Sequence, residues 1–430
     1  MPSGLVLIAL ATLTITAAAQ QSVPFAGVLD EHPVIQYASR PTRDRVAGLN
    51  QRIAAGTATL RFQEQDGYLR SVLDELGIAA ESQLLIFSRT GIQRSATGPR
   101  TPRALYFDDS VVVGYIPGAQ WLEVAAQDRE QGVVFYTIDQ TPPRSTSTTS
   151  PSFARRTDCL RCHVSANTLE VPGMIHRSNY LDAEGDPMPM LGSHNVDHRT
   201  LVTNRWGGWF VTGNYTKPPY DGTAHLGNIT ISQHASGRPI TASNEVFIDW
   251  VNGVAAAPRY PSRESDIAAL MVFDHQMHAM NLLTRLNWES RVAASAGRMD
   301  FHGTPLRKLV DEVADYLLFV DEAPPPGRIN PRREFAERFI AAGPRDRRGR
   351  SLRELDLDRR LLRYPCSYMI YTEAFSELPA AARTAVYQRM STILSSADAA
   401  PKYAHLSAED RQAVVEILRD TKNDLPASWR

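Results

Sequence analysis

Residues Cys159-Leu160-Arg161-Cys162-His163 restrict this chain more than any other five. Two cysteines separated by two residues and followed at once by a histidine form a c-type haem attachment pattern. Each thiol adds across one vinyl group of the porphyrin, and the two-residue gap puts both sulfurs on one side of a helical turn. The histidine then falls under the iron as proximal ligand. A CxxC disulfide would need no histidine, and no thioredoxin-like βαβ pattern surrounds this one. A zinc site would need further ligands of matching type, and there is no second CxxC to supply them.

The cysteine count carries the argument further. The chain has 3 cysteines in 430 residues. Two are used by the attachment motif, which leaves Cys366 alone and no intramolecular disulfide. Cys366 lies in the apolar run Tyr364-Pro-Cys-Ser-Tyr-Met-Ile-Tyr371, the setting of a buried, inert thiol. The protein must therefore hold together by its core. With 43% hydrophobic and 22% charged residues, it has the composition of a globular protein. Its length exceeds the ~250–300 residues that one core usually serves, so two or three lobes are expected. A net charge of −1 argues against nucleic acid as a partner, which would call for a basic stripe.

The amino terminus fits export. An apolar run, Leu5 to Ile15, precedes small residues at Ala17 and Ala19 in an A-x-A pattern, so residues 1–19 read as a signal peptide. The run is too short to span ~30 Å of hydrocarbon, and the mature chain is expected to lack a stable membrane span. Covalent haem is attached outside the cytoplasm, so a periplasmic or secreted location is expected.

The pattern predicts an α+β fold in successive regions. Residues 20–140 read as a mixed lobe with an antiparallel meander. Leu69, Val72, Leu73 and Leu76 share a helix face. Short β-branched and aromatic runs then follow at Gln83–Phe87, Ala104–Phe107, Val111–Ile116, Trp121–Ala125 and Gly132–Ile138. Residues 141–152 are a Pro/Ser/Thr linker. Residues 153–235 form a loop-rich haem-binding region, rich in Gly, Pro, His and aromatics. Residues 236–430 read as a mostly helical lobe. Ser262 is expected to cap a long helix that stops at Gly297, and Thr304 to cap the next. Further helices are expected over Arg332–Ala342, Ser367–Glu377, Ala380–Ser395 and Ser407–Asp420.

The group opposite His163 decides what a haem could do, since methionine, histidine and an open position favour different chemistries. The first candidate is His275, with His278 one turn on, because both interrupt an apolar and therefore inward helix face. Met188 and Met190 in a proline-stiffened loop, and His194 and His198 nearer the motif, are alternatives. His176 and His225 are weaker options. Arg177, Arg199, Arg205 and the Trp206 indole are available to the haem propionates.

The motif makes the chain resemble c-type cytochromes. It does not resemble their small class, since 158 residues precede the motif and 267 follow it. Stretches such as Thr101-Pro-Arg-Ala-Leu-Tyr-Phe107, Trp206-Gly-Gly-Trp-Phe-Val-Thr-Gly213 and His225-Leu-Gly-Asn228 are similar to large secreted single-haem proteins of environmental bacteria. The resemblance implies one covalent haem c held by Cys159, Cys162 and His163, and nothing about substrate. A monohaem cytochrome acting in electron transfer with a redox partner protein is the expected function. A haem enzyme of peroxidase or oxygenase type, with an open distal site, is the alternative, because a simple carrier needs only a small shell.

Overall fold

Alternation along the meander sorts its side chains onto two faces, and a computed structural model shows both faces covered. It describes residues 30–143, 151–182, 184–216, 223–224, 230–231, 242–243, 260–325, 327–396 and 400–429. The expected signal peptide, most of the linker and His225 lie outside the described residues.

All five expected strands form: β1 (Leu84–Ile86), β2 (Arg103–Phe107), β3 (Val111–Tyr115), β4 (Trp121–Asp128) and β5 (Gly132–Asp139). They pair in sequence order as an antiparallel meander. Two short strands from beyond the meander complete a seven-stranded sheet. β6 (Ala154–Arg155) pairs with β5 on one side, and β9 (Trp209–Phe210) pairs with β1 on the other. A separate two-stranded ribbon joins β7 (Arg177–Asn179) to β8 (Ser193–Asn195). The chain is thus α+β, with its sheet in the N-terminal half and its helices concentrated in the C-terminal half.

One sheet face carries Leu85, Tyr106, Val113, Val124, Val134 and Tyr136, buried against α1 (Arg45–Ala54) and α2 (Leu69–Leu76). The α2 stripe is the expected one, with Leu69, Val72, Leu73 and Leu76 buried and Gly77 ending the helix at φ 65°. The opposite face carries Phe107, Val112, Ala125, Val133 and Phe135 and packs against the C-terminal helices.

The long helix α4 (Ile267–Ser295) is the centre of that second core. Its cap is Asp266, whose Oδ1 accepts from the Ala268 and Ala269 amides at 2.9 and 3.2 Å. Ser262 does not cap it; its hydroxyl accepts from Glu264 in the preceding loop. Nor does α4 present a single inward face. Every residue from Ile267 to Met277 and from Ala279 to Ser290 is buried, because sheet and helices enclose it from several sides. Thr304 caps α5 (Pro305–Leu317) as expected. The helices α6 (Arg333–Ala341), α8 (Ala380–Leu394) and α9 (Ala408–Thr421) also form. The helix expected over Ser367–Glu377 is broken into a 3₁₀ turn, Tyr368–Tyr371, and a single turn α7, Glu373–Ser376, because Ser367 and Thr372 each cap a separate segment. Cys366 is buried and free, as are the thiols of Cys159 and Cys162 free of any disulfide.

Candidate cofactor site

The CxxCH segment forms one helical turn, α3 (Leu160–His163), immediately after β6. The turn is closed by the Cys162 and His163 amides, which donate to the Cys159 carbonyl at 3.2 and 3.1 Å. Cys159 is half-buried and Cys162 exposed. Burial pushes the Cys159 thiol up to about 11. That is the reverse of the lowered pKa that activates redox CxxC pairs.

His163 is oriented by backbone. Its Nδ1 lies 2.8 Å from the Gly173 carbonyl oxygen. A carbonyl can only accept, so Nδ1 carries the proton and Nε2 keeps its lone pair. The Gly173 amide donates in return to the His163 carbonyl at 3.1 Å, closing the intervening loop. The imidazole rests on Phe135, centroid to centroid 4.4 Å, and burial lowers its pKa, which favours the neutral ring. Gly173 is fixed in turn by α4. Asn281 Oδ1 accepts from the Met174 amide, and Asn281 Nδ2 donates to the Met174 carbonyl, both at 2.8 Å. Neither Gly173 nor Asn281 was singled out from the sequence. The usable signal was Asn281 itself, an amide in an apolar helix that had to find partners.

Beside this turn the sheet offers a partly covered floor. Register places Leu105, Gly114, Glu123 and Thr137 in one row across β2 to β5. Arg103, Leu105, Trp121 and Glu123 remain half-buried, whereas Phe107, Ala125 and Val133 on the same face are buried. Arg103 Nη1 pairs with Glu123 Oε2 at 3.1 Å, and Gln93 Nε2 donates to Glu123 Oε1 at 2.8 Å. The Arg156 guanidinium lies 5.0 Å over Trp121.

The expected distal residues are found in a different setting. His275 is fully buried, with Nδ1 2.7 Å from His198 Nδ1 and Nε2 2.6 Å from Ser367 Oγ. Its ring stacks with those of Tyr316 and Phe319, centroids 5.0 and 4.5 Å away. Both nitrogens are therefore engaged, and coordination by His275 would require breaking at least one of these bonds. Burial lowers its pKa to about 3 and that of His198 well below the usual value, so both rings are neutral. His278 Nε2 accepts from Arg199 at 3.1 Å. His194 and His198, four apart in sequence, do not converge: His194 is exposed on β8 and His198 is buried. Met188 is half-buried, and Met190 is 88% exposed. The segment carrying these four residues meets the cysteine turn's own continuation, since Asn195 Nδ2 donates to Asn167 Oδ1 at 3.0 Å.

Three of the four groups named for the propionates are committed to other partners. Arg199 pairs with Asp197. Arg205 Nη1 and the Trp206 indole both donate to Asp274, at 3.0 and 3.1 Å. His176 Nδ1 is 3.1 Å from the same carboxylate, but off the angle of a hydrogen bond. Among the described residues, no group of three or more His, Cys, Asp or Glu is placed to hold a metal ion, and no helix is long and apolar enough to cross a membrane.

No protein-family model, curated protein or solved structure matches the chain.

Proposed function

We propose that this chain is an exported monohaem c-type cytochrome that carries electrons to or from a redox partner protein. The observation that carries the reading is the His163–Gly173 hydrogen bond. A histidine that ligates a metal through one nitrogen almost always donates the other N–H to a carbonyl or carboxylate, which fixes tautomer and ring orientation. Here that partner is in place while Nε2 has no hydrogen-bond partner among the described residues. A lone histidine suffices for iron in a porphyrin, whose own nitrogens supply four ligands. Cys159 and Cys162 would form the thioethers, and the protonated state of Cys159 argues against a dithiol redox role.

A bound haem would supply a one-electron couple at the iron, and the protein sets its potential through the axial ligand, nearby charges and burial. The chain's own contribution is rigidity. Gly173 holds the His163 ring against rotation, Phe135 supports its face, and Asn281 locks the segment to α4. The alternative, a haem enzyme with an open sixth position, draws support from His275 and His278, whose hydrogen bonds hold them away from a ligand role.

Two measurements test this. On a denaturing gel stained for haem, the protein should show a haem band, and Cys159→Ser with Cys162→Ser should lose it; extractable haem, or none, overturns the reading. Optical spectra with and without carbon monoxide then separate the two functions. A low-spin haem insensitive to carbon monoxide supports electron transfer, and a high-spin haem that binds it supports the enzyme.

A further inference from the structure

The turn between β2 and β3 meets α4, α6 and α7 around a cavity of about 520 Å³. That lies within the roughly 300–1,000 Å³ typical of small-molecule pockets. Its floor is apolar: Phe107, Val272, Phe335, Phe339 and Ala374 all line it and all are buried. The Phe335 ring lies 6.0 Å from Phe107 and 5.9 Å from Phe339, centroid to centroid. Arg338 and Ala342, also lining it, are exposed. None of Cys159, Cys162 and His163 belongs to the lining, so its occupancy does not depend on covalent haem.

The charged side chains around the cavity are already paired. Arg45 meets Asp108, Arg353 meets Asp109, and Arg338 lies 3.6 Å from Glu81. Glu373 takes the guanidinium of Arg129. A charged guest would therefore gain nothing here to offset its lost hydration. The two lining amides differ. Gln276 on α4 is satisfied at both ends, donating to the Asp108 carbonyl at 2.5 Å and accepting from the Tyr368 hydroxyl at 3.0 Å. Gln127 on β4 is not. Thr284 Oγ1 gives its proton to the Met280 carbonyl at 2.9 Å, so it can only accept from Gln127 Nε2, at 3.0 Å. That turns the Gln127 nitrogen toward α4 and leaves its Oε1 buried, with no hydrogen-bond partner among the described residues. No other residue lining the cavity has a buried side-chain atom in that condition.

We propose that this cavity binds an uncharged, largely apolar small molecule carrying one hydroxyl or N–H group, which donates to Gln127 Oε1. The phenyl floor supplies burial for the apolar body. The unpaired acceptor supplies selectivity, because an acceptor buried without a donor costs stability that a donor on the guest recovers.

The test is equilibrium dialysis of the full chain near neutral pH against two probes of nearly equal shape, 2-naphthol and 2-methylnaphthalene. Apolar burial alone favours the methyl compound. A hydrogen bond to Gln127 should reverse that order, with the naphthol bound roughly two- to tenfold more tightly. Gln127→Met keeps the side-chain length without the acceptor and should restore the preference for the methyl compound. Ala342→Trp places an indole at the cavity from an exposed position, where the fold tolerates size, and should weaken both probes at least tenfold while circular dichroism and the unfolding midpoint stay close to those of the unmutated protein. Failure of the unmutated protein to bind either probe overturns the proposal. So does tighter binding of the methyl compound, an order unchanged in Gln127→Met, or binding that a folded Ala342→Trp variant leaves intact.

Discussion

Asn281 grips the backbone of Met174 from both sides, accepting from its N–H and donating to its C=O at 2.8 Å each. One side chain on α4 thereby replaces a strand partner for the residue next to Gly173. The orientation of His163 depends on a helix more than a hundred residues away in sequence. Replacing Asn281 by Leu keeps the branched shape and removes both bonds. Each backbone group left unpaired should cost about 1–3 kcal/mol, measured by denaturant unfolding, with a matching loss of order at His163.

Gly173→Ala should be more damaging than its small size suggests. A Cβ at this position would collide with Asn281 Oδ1 and stand 3.1 Å from Thr168 Cβ. The conflict is one of space and not of backbone angle, so Gly297→Ala makes a useful contrast. Gly297 has φ +64° and nothing within 4 Å of a Cβ. The first variant should lose stability together with the His163–Gly173 bond, visible in histidine NMR shifts. The second should lose only the modest cost of a left-handed alanine, about 1 kcal/mol.

Asp274 is the shared acceptor of Arg205 and Trp206, and all three are buried. Burial pushes the carboxyl up while Arg205 pulls it back. Asp274→Asn leaves the Arg205 cation buried without a counter-charge, and removing one partner of such a pair costs roughly 3–5 kcal/mol. Denaturant unfolding above about pH 8, where a carboxyl raised to about 7 is ionised, should show a loss of this order; a change under 1 kcal/mol would mean that Arg205 finds another partner.

The His198–His275 pair gives stability a pH dependence of known sign. Burial lowers His275 from 6.5 to about 3, so the folded state resists the proton that the unfolded chain accepts. The stability tied to the neutral ring is complete above the unfolded pKa of 6.5. It is lost as pH falls toward the folded value, at up to roughly 1.4 kcal/mol per pH unit. Buried carboxyls such as Asp266 and Glu322 are raised and change stability in the opposite direction, so the readout is a difference. The stability gap between the unmutated protein and His275→Asn should narrow between about pH 6.5 and 4.5. A gap independent of pH would mean that His275 titrates normally.

Local patterning carried most of the architecture. The α2 stripe, the five meander strands and the Thr304 cap are short-range features, written in period and cap chemistry. What escaped was built from distant pieces. β6 and β9 are two residues long, and no periodicity can be read from two residues. The α4 histidines were read from one apolar face, but their partners come from elsewhere: His198 lies 77 residues from His275, and Ser367 lies 92. The cysteine turn was legible because its chemistry is contiguous. Its supports, Gly173, Asn281 and Phe135, were not, because each arrives from a different element.

The place of β9 bears on the order in which the molecule can be assembled. The meander is complete at Asp139, yet the outer edge of β1 has no partner until Trp209 and Phe210 arrive. Cys159 and Cys162 lie between those two events in the chain. A nascent polypeptide emerging from its N-terminus therefore presents both thiols while one sheet edge is still bare, and contacts this far apart in sequence are slow to close. That interval is a window for chemistry at the cysteines before the finished fold half-buries Cys159.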